Sequence, residues 1–194
     1  KGGYGVGVRK DNQVSIQKME EGKLDAQFLA AFLGQKESDP ASLQSAVEKC
    51  TGLIEGIHAE VEKNKEHCGV ALTEQDAWNL KAQGKKAFFI GIENGYGIGA
   101  DLKNIKKFKD MCVNYITLCH SYDNHICNSS THTADATKGL TDFGRKVVKE
   151  MNKQGVLIDL SHASEGTFWD VIKLSKDPIF ASHSGVKALC DHDR

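Results

Sequence analysis

The sequence predicts an α/β fold of parallel strands joined by helical crossovers. Three observations carry that expectation. Short, continuous apolar runs such as Ala87-Phe88-Phe89-Ile90-Gly91-Ile92 have the length and composition of strands buried on both faces. Between them lie segments whose apolar residues recur on one side at helical spacing. No internal repeat and no low-complexity linker divides the chain, so residues 1–194 are expected to form one domain. An α/β barrel and a doubly wound open sheet both satisfy this pattern.

The earliest apolar stretch, Ala26 to Leu33, fits a strand, although its alanines also suit a helix. Asp39-Pro40 is a strong helix start, with proline at the first helical position. Leu43, Ala46, Val47, Cys50, Leu53, Ile54, Ile57 and Val61 then follow at helical spacing. The charged run Glu60 to Glu66 is the solvated face and end of that helix. Thr73-Glu74-Gln75-Asp76 has the form of a capping box, opening a shorter helix that Gly84 can end. Strand Phe88–Ile92 leads into a helix with Leu102, Ile105, Phe108 and Met111 on one side. Val113–Leu118 is the next strand, Thr141–Gln154 a helix stopped by Gly155, and Val156–Leu160 another strand. Thr167–Ser175 is helical, Pro178–Ser182 is a last strand, and Val186 to Cys190 begins one more helix. Trp78 and Trp169 fall on helical patterns and are assigned to the core.

With 40% hydrophobic and 26% charged residues, the chain has the balance of a globular protein with a sizeable core. A formal net charge of −1 without a basic stripe gives no electrostatic basis for a nucleic-acid partner. No uncharged apolar run approaches the roughly 18 to 20 residues that cross a bilayer, and no signal pattern opens the sequence, so compartment and membrane attachment stay undecided. The six cysteines form no Cys-x-x-Cys pair and none of the spacings of a zinc finger or redox dithiol, which leaves buried free thiols as the expectation and an extracellular disulfide set as the alternative.

The chemistry collects at one end of the strands. Glu93 follows Phe88–Ile92, His120 follows Val113–Leu118, His162 follows Val156–Leu160, and His183 follows Pro178–Ser182. A single histidine at a strand end is commonly a hydrogen-bonded loop or core residue. Four metal-capable side chains in register at the C-terminal ends of successive strands are not explained that way, because in a β/α barrel that end is the active-site mouth. Imidazole and carboxylate suit Zn²⁺ when one coordination position stays open, and the implied chemistry is hydrolysis. A carboxylate, with two oxygens and a negative charge, is the natural bridge between two metals, which points to Glu93.

Competing signals are weaker. The stretch Gly95-Tyr96-Gly97-Ile98-Gly99 sits between a strand and a helix but lacks the Gly-x-Gly-x-x-Gly spacing of a dinucleotide site, and no Gly-Lys-Ser/Thr occurs. Its glycines are expected to turn the chain sharply off the strand beside Glu93. Ser161-His162 and Ser182-His183-Ser184 lie outside any Gly-x-Ser-x-Gly elbow. A Cys119 nucleophile paired with His120 fails because adjacent strand residues point to opposite faces. Asp123, His125 and His132 belong to a polar loop, Asp123 to Lys138, and are assigned to its surface.

Taken together, "GIENGYGIG", "YITLCHS", "GLTDFGRKVVKEMNKQGVLIDLSHAS" and "PIFASHSGVKALCDHDR" resemble the membrane dipeptidase (renal dipeptidase) family of zinc peptidases, and the likeness extends upstream to "QVSIQKMEEGKLDAQFLAAF". The resemblance implies a TIM-type (β/α)8 barrel, two zinc ions in a complete active site, and hydrolysis of dipeptides by a hydroxide bridging the metals. It also implies roles. Glu93 would bridge both ions, and His162 and His183 would ligate one of them. His120 would contact the scissile carbonyl or its oxyanion, and Arg194 would hold the substrate carboxylate with its planar fork of donors. A homodimer is compatible with it.

Departures accompany the likeness. The family's first barrel strand carries a His-x-Asp motif for the other zinc, and nothing in Lys1 to Lys10 corresponds. Asn94-Gly95-Tyr96 stands where relatives often have Gly-Gly-His. The chain opens without methionine and ends soon after an apolar stretch, so it is expected to be a fragment of the barrel, truncated at both ends, with activity residing in the full-length parent. Two other functions fit the same residues: another metal-dependent amidohydrolase, and a noncatalytic barrel that has lost one metal site.

Overall fold

The computed structural model describes residues 6–7, 12–35, 37–131, 135 and 137–192. Most of Lys1 to Lys10, His132 and Arg194 lie outside them. The described elements run α1 (Ile16–Glu21), β1 (Ala26–Phe32), α2 (Pro40–Lys63), β2 (Cys68–Val70), α3 (Glu74–Ala82), β3 (Lys86–Glu93), a 3-10 turn (Gly95–Ile98), α4 (Lys103–Asp110), β4 (Val113–Thr117), α5 (Asp142–Gln154), β5 (Leu157–Asp159), α6 (Glu165–Leu174) and β6 (Ile179–Phe180). All strand pairs are parallel, in the order β1-β3-β4-β5-β6, with β2 pairing the start of β3. This is the α/β, TIM-barrel-like arrangement of strand and crossover that the sequence pattern predicts.

Helix boundaries follow local chemistry. Asp39 Oδ1 accepts from the amides of Ala41 and Ser42, and Pro40 occupies the first turn where no N–H is needed. Thr73 and Asp76 form the expected reciprocal capping box. Thr141 caps α5 through the Gly144 amide, and Gly155, at φ 63°, closes it in the left-handed region. Ser164 caps α6, which starts two residues earlier than its apolar pattern suggests.

The Ala26 to Leu33 stretch is a strand despite its alanines, because all seven residues of β1 pair with β3, from Ala26 opposite Ala87 to Phe32 opposite Glu93. Tertiary pairing outweighs helix propensity here. Ile90, Ile92, Ile116 and Ile158 are fully buried on the sheet face covered by α2, α4 and α5. On the opposite face Tyr115 makes edge contacts with Phe28 and Phe180. Gly91 leaves room for that ring, since a Cβ there would lie 2.0 Å from Tyr115 Cε1.

Three expectations need correction. Trp78 and Trp169 are not core residues; they are 54% and 50% exposed. Helix α3 buries none of its residues, and Trp169 lies on the outer side of α6 while Thr167 and Val171 face inward. Val186 to Cys190 forms a single turn, with amides of Leu189 and Cys190 both donating to the Val186 carbonyl, and no helix continues among the described residues.

The cysteines are free, as expected, but differ in access: Cys50, Cys68, Cys119 and Cys127 are buried and Cys190 is exposed. Burial pushes the Cys50 thiol up to about 12 and Cys68 to about 11. Because the thiolate is the reactive form, native-state alkylation at pH 8 is expected to label Cys190 and spare Cys50 until denaturant is added. Equal labelling of both, read by peptide mass spectrometry, would contradict this packing.

Candidate metal centre and active site

The strand register explains why four separate motifs meet. Phe32, Glu93, Thr117, Asp159 and Phe180 are direct neighbours in one row across β1, β3, β4, β5 and β6. Glu93 is in the row itself. His120, His162 and His183 each lie three residues beyond its members Thr117, Asp159 and Phe180. Equal overhang from a common row brings their rings to one height above the sheet.

The donors converge. His183 Nε2 lies 3.4 Å and His162 Nε2 3.5 Å from Glu93 Oε1, and the two Nε2 atoms are 2.9 Å apart. His120 Nε2 is farther from Glu93 Oε1, at 3.9 Å, with its ring 4.2 Å from that of His162 and 4.9 Å from that of Phe32. Ligands about 2.0–2.1 Å from a tetrahedral zinc stand roughly 3.3 Å from one another. The Glu93, His162 and His183 separations suit donors around one ion, while His120 sits to the side. Ligand atoms of Glu93, His120 and His162 also lie within 4.8 Å of one another. The acid-plus-imidazole donor set therefore fits zinc. His162 hydrogen bonding to Glu93 holds its carboxyl below the ordinary value, against the effect of burial and with help from His183 and His120.

Backbone devices aim these side chains. Asn94, directly after Glu93, takes φ 82°, a conformation that asparagine tolerates better than most residues. Its buried side chain donates to the Leu33 carbonyl and accepts from the Tyr96 amide, so asparagine, rather than a glycine, makes the turn off β3. The following glycines serve close packing. A Cβ on Gly95 would lie 2.8 Å from the Leu118 carbonyl oxygen, and one on Gly97 would lie 2.9 Å from Leu33 Cδ1. His162 also has a left-handed backbone, φ 69°, a conformation that costs about 1–3 kcal/mol in a non-glycine residue. Its carbonyl is pinned by the Ser130 amide at 2.8 Å and the Cys119 thiol at 3.5 Å.

The Asp123 to Lys138 loop is therefore not simply surface. Asp123 accepts from the Ser129 amide and the Asn128 side chain, and Ser129 Oγ donates to the His120 carbonyl at 2.7 Å. His125 is partly buried, stacks on Phe143 and contacts the Gly99 carbonyl through Nε2 at 2.8 Å. Burial lowers its pKa, partly offset by that hydrogen bond. These residues support the backbone around the site from within the fold. The role of Arg194 rests on a residue outside those described.

A profile described as membrane dipeptidase (peptidase family M19) matches residues 5–194. The chain belongs to the membrane dipeptidase family. Dipeptidase 3 of Homo sapiens is 32% identical over 184 residues, covering 93% of this chain and 36% of the human protein. Dipeptidase 3 of Mus musculus is 30% identical with the same coverage. The chain thus spans just over a third of the length of these relatives. The crystal structure of the probable dipeptidase PvdM from Pseudomonas aeruginosa has a TM-score of 0.85 at 27% identity, over 96% of this chain and 50% of that one. A metallo peptidase from Rhodobacter sphaeroides, liganded with a phosphinate mimic of the dipeptide L-Ala-D-Ala, shares the fold with a TM-score of 0.80 at 21% identity, over 93% and 59% of the two chains.

Within this family frame the Asn94-Gly95-Tyr96 departure is a packing feature. Tyr96 is 2% exposed and its hydroxyl donates to the Glu37 carbonyl at 2.8 Å, away from Glu93. A residue the motifs did not single out is Asp159, which is completely buried beneath the histidines. Burial raises its pKa, but hydrogen bonds from Ser182, Ser161 and Thr117 outweigh that effect and hold the carboxyl below its usual value.

Proposed function

We propose that the full-length protein containing this chain hydrolyses dipeptides with zinc, two ions in the complete site. The observation that carries the proposal is the approach of Glu93 Oε1, His162 Nε2 and His183 Nε2 to within 3.5 Å of one another at the mouth end of a parallel sheet. Membership of the membrane dipeptidase family supports it independently.

Glu93 would offer its carboxylate to both metals, and His162 and His183 would hold one of them. Bound zinc supplies an acidified water and a Lewis acid for the carbonyl. His120, beside this group and against Phe32, would donate to the scissile carbonyl oxygen as it gains charge. Arg194 would bind the free carboxylate of the substrate by a bidentate contact, which selects for short peptides with an open C-terminus. The remaining ligands of the second ion would come from residues outside this cluster.

The test uses the full-length protein. Zinc removal by chelation is expected to abolish turnover of simple dipeptides, and added zinc to restore it. Amidation of the substrate carboxylate is expected to slow turnover at least roughly tenfold, since a charge-assisted hydrogen bond contributes about 1.5–3 kcal/mol. Preference for substrates without a free carboxylate would favour another amidohydrolase, and absence of turnover with zinc bound would favour a noncatalytic barrel.

A further inference from the structure

Asp159 ends β5 in the same row as Glu93, yet none of the roles above uses it. Its carboxylate meets four donors. Oδ1 accepts from the backbone amides of Ser161 and Ser182, each at 3.0 Å. Oδ2 accepts from the hydroxyls of Thr117 at 2.7 Å and Ser182 at 2.6 Å. An ionised carboxylate has about four lone-pair sites, so its accepting capacity is filled, and a proton on either oxygen would face another donor.

The polarity of the next bond follows. Ser182 has one hydroxyl proton, and Asp159 takes it. The same Ser182 oxygen lies 2.7 Å from His183 Nδ1, so the proton in that contact belongs to the imidazole. His183 is thereby held with hydrogen on Nδ1 and a lone pair on Nε2. That lone pair is on the nitrogen facing Glu93 Oε1 at 3.4 Å. The His183 amide is pinned as well, donating to Ser161 Oγ at 2.9 Å.

We propose that Asp159 and Ser182 are positioning residues that fix the tautomer and ring orientation of His183 for metal ligation, with Asp159 acting through Ser182. Metal-bound histidines commonly give their second ring N–H to a carboxylate or carbonyl; here a serine hydroxyl stands between, and it transmits the direction of the proton. The purpose of the relay rests on the zinc reading above, while the tautomer does not require a bound ion.

Two measurements on the full-length protein separate these. Nitrogen-15 NMR of the histidine-labelled, metal-free protein is expected to show His183 protonated on Nδ1. Asp159→Asn keeps the side-chain shape but brings an amide N–H₂ to Ser182, which turns the hydroxyl proton toward His183 and moves hydrogen to Nε2. Affinity for zinc, measured by competition with a chelator, is then expected to fall roughly 10- to 100-fold. Ser182→Ala should lose affinity similarly, whereas Ser182→Thr, which keeps the hydroxyl, should restore it. Thermal midpoints of all three variants identify any loss that is only a folding defect. His183 protonated on Nε2 in the parent protein, or unchanged zinc affinity in folded Asp159→Asn and Ser182→Ala, would overturn the relay. A parent protein with hydrogen on Nδ1 and no zinc affinity would uphold the relay and overturn the metal reading.

Discussion

Glu93→Gln in the full-length protein is expected to lower kcat/KM for dipeptides by roughly 10³-fold, equivalent to about 4 kcal/mol of transition-state stabilisation. The substitution preserves shape and removes the charge. The lost carboxylate lies 3.4–3.9 Å from ring nitrogens of His120, His162 and His183. Glutamine offers a neutral oxygen where a carboxylate would give zinc an anionic donor. Bound zinc, measured by mass spectrometry of the native protein, should fall in parallel. Wild-type turnover in this variant would remove Glu93 from the mechanism.

Gly144→Ala is expected to cost about 3 kcal/mol of stability, a drop of roughly 6 °C or more in Tm. Two effects oppose each other at this position in the first turn of α5. Alanine favours a helix over glycine by about 1 kcal/mol. The added Cβ, however, would lie 2.0 Å from the backbone carbonyl oxygen of Ile126, and that oxygen also accepts from the Thr141 amide at 2.9 Å. A backbone atom so anchored cannot yield as a flexible side chain would, so the clash wins. Gly52→Ala and Gly56→Ala in α2 provide the contrast: no atom lies within 4 Å of either new Cβ, both sites are exposed, and each change should stabilise by about 0.5–1 kcal/mol. A Gly144→Ala protein that melts with or above the parent would refute the close approach of α5 to the Ile126 segment.

Periodicity and end signals located the helices α2, α4 and α5 and the strands β3 and β4 because their residues obey one dominant physical demand, burial of one face. Where several demands compete, the residues are less transparent. Trp78 and Trp169 have the right spacing for a core, but a helix pattern alone does not say which side meets the sheet, and both rings are on the outside. Glu93, His162 and His183 were legible as a candidate site because polar donors at strand ends break an apolar run. Asp159 breaks one too, but its partners Thr117 and Ser182 are 42 and 23 residues away, so the closed hydrogen-bond set is visible only once β4, β5 and β6 are side by side. A signal existed in retrospect: an acid ending an apolar strand needs donors, and hydroxyl residues end the neighbouring ones. Asn94 was equally opaque, since its importance lies in a positive φ that no spacing announces.

The row through Phe32, Glu93, Thr117, Asp159 and Phe180 has a consequence for how this barrel tolerates change. It acts as a datum line from which each histidine is counted off by three residues. Insertions in the helices and in the connections entering the strands leave that count untouched. A single residue added between the row and a histidine moves one donor out of the group, and a one-residue slip within a strand turns its contribution to the opposite face. Length variation should therefore accumulate on the far side of the row, with metal affinity serving as a sensitive report on whether each strand has settled in its proper register.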